Sequence, residues 1–153
     1  RGDEMRDADV NAISLRFSTE RAPGHSAGSD EGPIRIAVVD DDELIRGLVL
    51  ATFGGASASV DQYADGRQYL ESPDVGKYDL VFLDLMMPGM DGFRVLQTMH
   101  ERQVSVPVIV LSAISKRDAV ITAMRLGVRS YLIKPLQPDE IRRKATEVLQ
   151  RAL

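Results

Sequence analysis

From residue 34 onward, short apolar runs alternate with longer stretches whose apolar residues recur every three to four positions. The strand candidates are Ile34–Val39, Ser59–Tyr63, Leu80–Leu83, Val106–Leu111 and Tyr131–Ile133. Runs of this length, bounded by turn residues, read as strands buried on both faces. The stretches between them read as helices. Leu44, Leu48 and Ala51 fall on one face of the first, and the second, Gly66 to Glu71, is the shortest. Val95, Leu96 and Met99 share a face of the third. The fourth runs from Lys116 to Leu126 and stops at Gly127, a residue suited to the left-handed turn after a helix. The last follows Pro138, with Ile141, Ala145, Val148 and Leu149 at i, i+4, i+7 and i+8.

Five strand–helix repeats predict an α/β fold, a doubly wound, flavodoxin-like five-stranded parallel sheet of order 2-1-3-4-5 with helices on both faces. In that order the first and third strands are neighbours, and ligands bind beyond their carboxyl ends at the switch point.

Residues 1–33 read differently, as an N-terminal extension ahead of a domain over 34–153. Gly24, Ser26, Gly28, Ser29, Gly32 and Pro33 predict a partly flexible linker. Before it, Ile13 to Ser18 alternates apolar and polar, which predicts an isolated strand over 12–18. One strand cannot fold alone. It either docks on something or is the edge of a further domain, and a chain that starts with Arg instead of Met fits a piece of a longer protein.

Composition removes several functions. The chain has 153 residues and a net charge of −4, with −3 carried by residues 1–33 (four Arg, seven Asp or Glu) and −1 by the rest. There is no basic footprint for nucleic acid or an anionic membrane. Cysteine is absent, which excludes disulfides and thiolate metal sites. No apolar stretch approaches the ~20 residues of a membrane-spanning helix. These features together predict a cytoplasmic protein.

The candidate chemistry sits at the ends of the apolar runs. Ile34–Val39 leads into Asp40, Asp41 and Asp42, and Leu80–Leu83 leads into Asp84. Neighbouring strands would gather Asp40, Asp41 and Asp84 in one crevice, where they cannot all stay ionised without a cation between them. Oxygen donors without His or Cys suit a hard cation such as Mg²⁺. After Asp84, the segment Leu85 to Gly92 carries Pro88, Gly89 and Gly92, a turn that holds the carboxylate at a loop mouth, with Asp91 placed to cap the next helix. The fourth run leads to Ser112 and the fifth to Lys134. A carboxylate nucleophile, a cation, a hydroxyl and an ammonium suit attack on a phosphoryl group.

Four motifs, in order and across nearly all of the last 120 residues, carry a resemblance. They are Val38-Val39-Asp40-Asp41-Asp42, Leu83-Asp84 through Pro88 to Asp91-Gly92, Val110 to Ala113, and Gly127 through Tyr131 to Lys134-Pro135. Residues 34–153 resemble the receiver domain of two-component response regulators. The resemblance implies that Asp84 is the phospho-acceptor, taking a phosphoryl group from the phosphohistidine of a sensor kinase or a histidine phosphotransfer protein, or from a small phosphodonor. It implies that Asp41, Asp84 and the Met86 backbone carbonyl bind Mg²⁺ directly, with Asp40 acting through metal-bound water. Lys134 would pair with the carboxylate and then a phosphoryl oxygen, its strand end fixed by a cis peptide to Pro135. Ser112 would hydrogen-bond the phosphate, and Tyr131 would swing inward as Ser112 moves, relaying the change to the face of the fourth helix, fifth strand and fifth helix. Such a switch dimerises on phosphorylation in some cases, and no residue here requires it.

Asp42 reads as the N-cap of the first helix, although Asp41 and Asp42 as the metal pair stay open. Arg142, Arg143 and Lys144 read as a solvated helix face, His100 as a surface residue, and Met86, Met87, Met90 and Met99 as loop and core. A phosphohydrolase of the haloacid dehalogenase type needs a second acid two residues after its nucleophile, and Met86 stands there. A protein-interaction module with an incidental acceptor is the other competing class. Neither Met86 nor Ile114, two after Ser112, can orient an attacking water, so slow self-dephosphorylation is expected. The strand over 12–18 and its linker also resemble the last strand of a kinase ATP-binding domain leading into the receiver of a hybrid kinase.

Overall fold

The apolar runs form the strands expected of them. The computed structural model describes residues 4–18, 32–55 and 57–153. Strands β1 (Ile34–Val39), β2 (Ala58–Tyr63), β3 (Leu80–Leu83), β4 (Val108–Ser112) and β5 (Ser130–Ile133) pair in parallel in the order β2-β1-β3-β4-β5. Helices are α1 (Asp7–Ser18), α2 (Glu43–Phe53), α3 (Gly66–Glu71), α4 (Gly92–Glu101), α5 (Arg117–Arg125) and α6 (Pro138–Leu149).

Strands β1, β3, β4 and β5 are almost wholly buried because both faces of the sheet are covered there, whereas the edge strand β2 leaves Ser59, Asp61 and Gln62 exposed. Along β1, Ala37 and Val39 join the core under α3, α4 and α5, and Ile34, Ile36 and Val38 join the core under α2 and α6. Register then sets the site. Val39 pairs with Leu83 and Ser112 with Ile133, so the residues just beyond, Asp40 and Asp84 on one side and Lys134 on the other, emerge at the same end of the sheet.

Side-chain caps start α2, α3 and α4. Asp42, Asp65 and Asp91 side chains accept from the N–H groups of Leu44, Gln68 and Arg94. Past the last turn of α5 the chain turns at Gly127, whose φ of 93° is open to glycine at no steric cost. No described helix is long and apolar enough to cross a membrane.

Three expectations are corrected. The first concerns the strand over 12–18, which is part of the helix α1. Its apolar residues Val10, Ile13 and Phe17 stand at i, i+3 and i+7, a helical stripe that the local alternation concealed. Asp7 and Asp9 open the helix and Arg16 closes it, matching the helix dipole, and the Asp9 carboxylate reaches back to the Arg6 N–H at 3.1 Å. The likeness to a kinase strand goes with the strand. The second concerns α2, whose buried stripe is Val49, Thr52 and Phe53 with Ile45 and Leu48 packed beside it. Leu44 is 82% exposed and Ala51 is exposed too. The segment is apolar nearly all round, so more than one stripe could be drawn. The third concerns Lys144 alone, since Arg142 and Arg143 are exposed as expected. Lys144 is buried, with its ammonium 2.5 Å from Asn11 of α1, and Arg142 donates to the Thr52 carbonyl near the end of α2. Most of the expected linker, residues 19–31, lies outside the described residues.

Candidate functional site

Asp40 and Asp84 are brought together by backbone pairing that continues past the strand ends. The Asp84 N–H donates to the Val39 carbonyl at 2.9 Å, and the Asp40 N–H to the Tyr63 carbonyl at 3.1 Å. Both carboxylates are buried while Asp41 is exposed, and one oxygen from each of the three lies within 4.8 Å of the others. Asp42 is not in this cluster, because its side chain caps α2 and its N–H donates to Asp40 Oδ1 at 2.9 Å. Of the three consecutive acids, Asp40 and Asp41 are the two gathered with Asp84.

Lys134 reaches the same pocket from β5. Its ammonium is 3.0 Å from Asp40 Oδ2 and 3.5 Å from Asp84 Oδ2. The Lys134 N–H donates to the Ser112 carbonyl at 2.8 Å, and the Lys134–Pro135 peptide is cis. The Met86 N–H donates to Asp84 Oδ1 at 3.1 Å, while its side chain is 61% exposed at the mouth of the site. Gly92 makes this loop possible. A Cβ there would lie 2.4 Å from the Asp84 carbonyl oxygen and 2.6 Å from Leu85 Cα, so the start of α4 packs directly on the acceptor's backbone.

Ser112 is fully buried, and its Oγ accepts from the Ile114 N–H at 3.0 Å. Tyr131 is buried as well, its hydroxyl donating to the Ile114 carbonyl at 2.5 Å. Burial, above all, pushes that phenol up to about 12, with the Asp84 charge adding and the Ser112 side chain opposing. Sequence reasoning missed Arg46. Its guanidinium donates to the Asp40 carbonyl at 2.8 Å, and its position one turn after Asp42 was the available signal.

Electrostatics mark Asp84 as the strained acid. Burial raises its carboxyl to about 6, the charge of Asp40 adds to the rise, and the Met86 N–H and Lys134 pull against it. Burial alone would lower Lys134, but the hydrogen bond and charge of Asp40, with Asp84 behind them, raise it. Three carboxylates facing one ammonium leave a net negative pocket of oxygen donors, which fits a hard divalent cation.

A sequence model of the response regulator receiver domain matches residues 36–146. The chain belongs to that family. Among curated relatives, it is similar to the transcriptional regulatory protein TcrA of Mycobacterium tuberculosis, with 36% identity over 121 residues, 79% of this chain and 47% of that protein. It is similar to the DNA-binding transcriptional regulator NtrC of Escherichia coli, with 34% identity over 116 residues, 76% of this chain and 24% of that protein. This chain thus spans about half or less of the length of these relatives. Among solved structures it resembles a Francisella response regulator receiver domain, with TM-score 0.70 and 27% identity over 76% of this chain and 97% of that one. It also resembles a chain of the CheX–CheY–BeF3–Mg²⁺ complex of Borrelia burgdorferi, with TM-score 0.69 and 26% identity over 76% of this chain and 89% of that one. The receiver domain is regulatory, and the order of its sheet is that of its structural neighbours.

Proposed function

We propose that this receiver domain is a Mg²⁺-dependent phospho-acceptor switch and that Asp84 carries the phosphoryl group. The observation behind it is the convergence of Asp40, Asp41 and Asp84 within 4.8 Å, with Lys134 shared between two of them. Asp41, Asp84 and the Met86 carbonyl would hold the cation, with Asp40 beside it. The cation would supply charge neutralisation for the transferring phosphoryl oxygens.

The chain's own residues do the rest. An Asp84 carboxylate oxygen attacks phosphorus on a phosphohistidine, from a sensor kinase or a histidine phosphotransfer protein. The P–N bond breaks, the histidine nitrogen keeps the electron pair and takes a proton, and an acyl phosphate forms. Lys134, already ion-paired with Asp84, takes up the new phosphoryl oxygens, and the Ser112 hydroxyl turns from its local bonds toward the phosphate. Ser112 and Tyr131, joined through Ile114, relay this to the face formed by α5, β5 and α6.

The test is intact mass after incubation with acetyl phosphate, with and without Mg²⁺, on wild type and Asp84→Asn. A Mg²⁺-dependent gain of one phosphoryl group, absent from the variant, is expected. No gain under any condition would hand the domain to the interaction-module reading.

A further inference from the structure

Tyr131 is expected to turn inward when Asp84 is phosphorylated, yet here it is already inward, 1% exposed with its hydroxyl on the Ile114 carbonyl. No phosphoryl group is needed to explain this, because another part of the chain contacts the same parts. The N-terminal segment reaches the β4–α5 loop through backbone bonds. The Met5 N–H donates to the Ser115 carbonyl at 2.7 Å, and Glu4 forms an antiparallel bridge with Lys116. That loop begins at Ser112 and holds Ile114, the residue bonded to both Ser112 and Tyr131.

The helix that follows lies across β5. It packs against β5 and α5, and Met5, Val10 and Ile13 join the apolar cluster that contains Tyr131. Polar ties fix it at both sides. The Ser14 hydroxyl donates to the Arg129 carbonyl at 3.0 Å, just before β5, and the Lys144 ammonium of α6 donates to Asn11 at 2.5 Å. Lys144 is itself buried by this arrangement.

We infer that α1 is a built-in ligand of the α5–β5–α6 face that selects the inward arrangement of Tyr131 and the β4–α5 loop, and so binds more tightly when Asp84 is loaded. The inference rests on the reading of Asp84 as the acceptor and of Tyr131 as the residue that turns inward when Asp84 is loaded. A ligand that prefers one of two arrangements shifts the equilibrium toward it, and the coupling is reciprocal. Docked α1 therefore strengthens retention of the phosphoryl group, and loading strengthens α1. The same docking keeps the face from other partners until α1 is displaced.

Beryllofluoride, which adds to a carboxylate as a phosphoryl mimic, provides the probe. The full chain is loaded with it in Mg²⁺, loading is counted by native mass spectrometry, and amide hydrogen exchange is followed over residues 7–18. The α1 amides should exchange more slowly on loading, by about fivefold or more. A full-length variant carrying Val10→Asp and Ile13→Asp, its fold checked by circular dichroism, should retain beryllofluoride more weakly by a similar factor. The wild-type exchange measurement needs no variant, so a misfolded variant does not shield the inference. Loading with α1 exchange unchanged overturns it and leaves the acceptor reading intact. Loading with faster exchange also overturns it and makes α1 a latch that phosphorylation opens. No loading at all sinks the acceptor reading first, and the inference with it.

Discussion

The Lys134 ammonium lies closer to Asp40, at 3.0 Å, than to Asp84, at 3.5 Å, so it bridges acids from two strands. The lysine side chain is 20% exposed and the Asp40 carboxylate is fully buried. An ion pair in such a place is costly to break from one side, because the remaining charge stays buried without its partner. Lys134 thus has a resting task, holding two acids together, before any phosphoryl group arrives.

Replacing it separates the two tasks. Lys134→Met should lower stability by about 2 kcal/mol or more at pH 7.5 without Mg²⁺, since Asp40 and Asp84 then face each other uncompensated. The loss should shrink at pH 5, where Asp84 takes up a proton, and in millimolar Mg²⁺ at pH 7.5. Urea melts under the three conditions check this. Equal losses in all three would mean that the lysine contributes packing alone.

The raised carboxyl of Asp84 sets the direction of a pH effect. Its folded value is about 6 against an ordinary 3.8, so between these values the folded state binds more protons than the unfolded chain. Stability from this group therefore falls as pH rises through that window and is lowest above it. In EDTA, Asp84→Asn should be more stable than wild type by about 1–3 kcal/mol at pH 7.5. The difference should shrink steeply by pH 4 and vanish below the ordinary carboxyl value. Chemical denaturation across that range tests it, and a difference that does not change with pH would show that the carboxyl is not perturbed by folding.

Much of this site was legible because register converts sequence position into geometry. Once β1 and β3 are neighbours, residues that end two apolar runs must emerge together, and Asp40 and Asp84 do. The N-cap role of Asp42 was legible from its place directly before the first helix, but whether it also joined the metal pair was not, and only its cap geometry takes it out of the cluster. What failed was orientation where every side is apolar, as on α2, and partnership between distant segments. Nothing local in Lys144 announces that Asn11, 133 residues away, will bury it. The α1 stripe was present at Val10, Ile13 and Phe17, but a six-residue alternation masked a period that needed the longer window from Asp7 to appear.

Self-dephosphorylation should be governed by what stands over Asp84. Met86 lies at the opening beside Ile114 and Phe93 in a mostly apolar pocket, and neither the Met86 nor the Ile114 side chain can hold a water by hydrogen bond. The acyl phosphate should be long-lived for this family. Met86→Asn, which supplies both a donor and an acceptor, should speed loss of the phosphoryl group by about tenfold or more. Decay of the labelled protein after donor removal reads the rate. A variant that decays more slowly than wild type would place control of water elsewhere.

Two glycines should respond oppositely to the same substitution. At Gly92 an added Cβ would meet the backbone oxygen of Asp84 at 2.4 Å and Leu85 Cα at 2.6 Å, neither of which can rotate away. Either α4 or the acceptor loop must shift, so Gly92→Ala should cost about 1–3 kcal/mol and slow Mg²⁺-dependent phosphorylation by acetyl phosphate, because the displaced atoms belong to the acceptor residue and its neighbour. At Gly47, within α2, nothing lies within 4 Å of the built Cβ. There alanine only removes the conformational freedom of glycine in a helix, and Gly47→Ala should stabilise by about 0.5–1 kcal/mol with the phosphorylation rate unchanged. Thermal melts and phosphorylation time courses on the two variants separate the cases. If Gly92→Ala melts and reacts like wild type, the close packing of α4 on the acceptor backbone does not position Asp84.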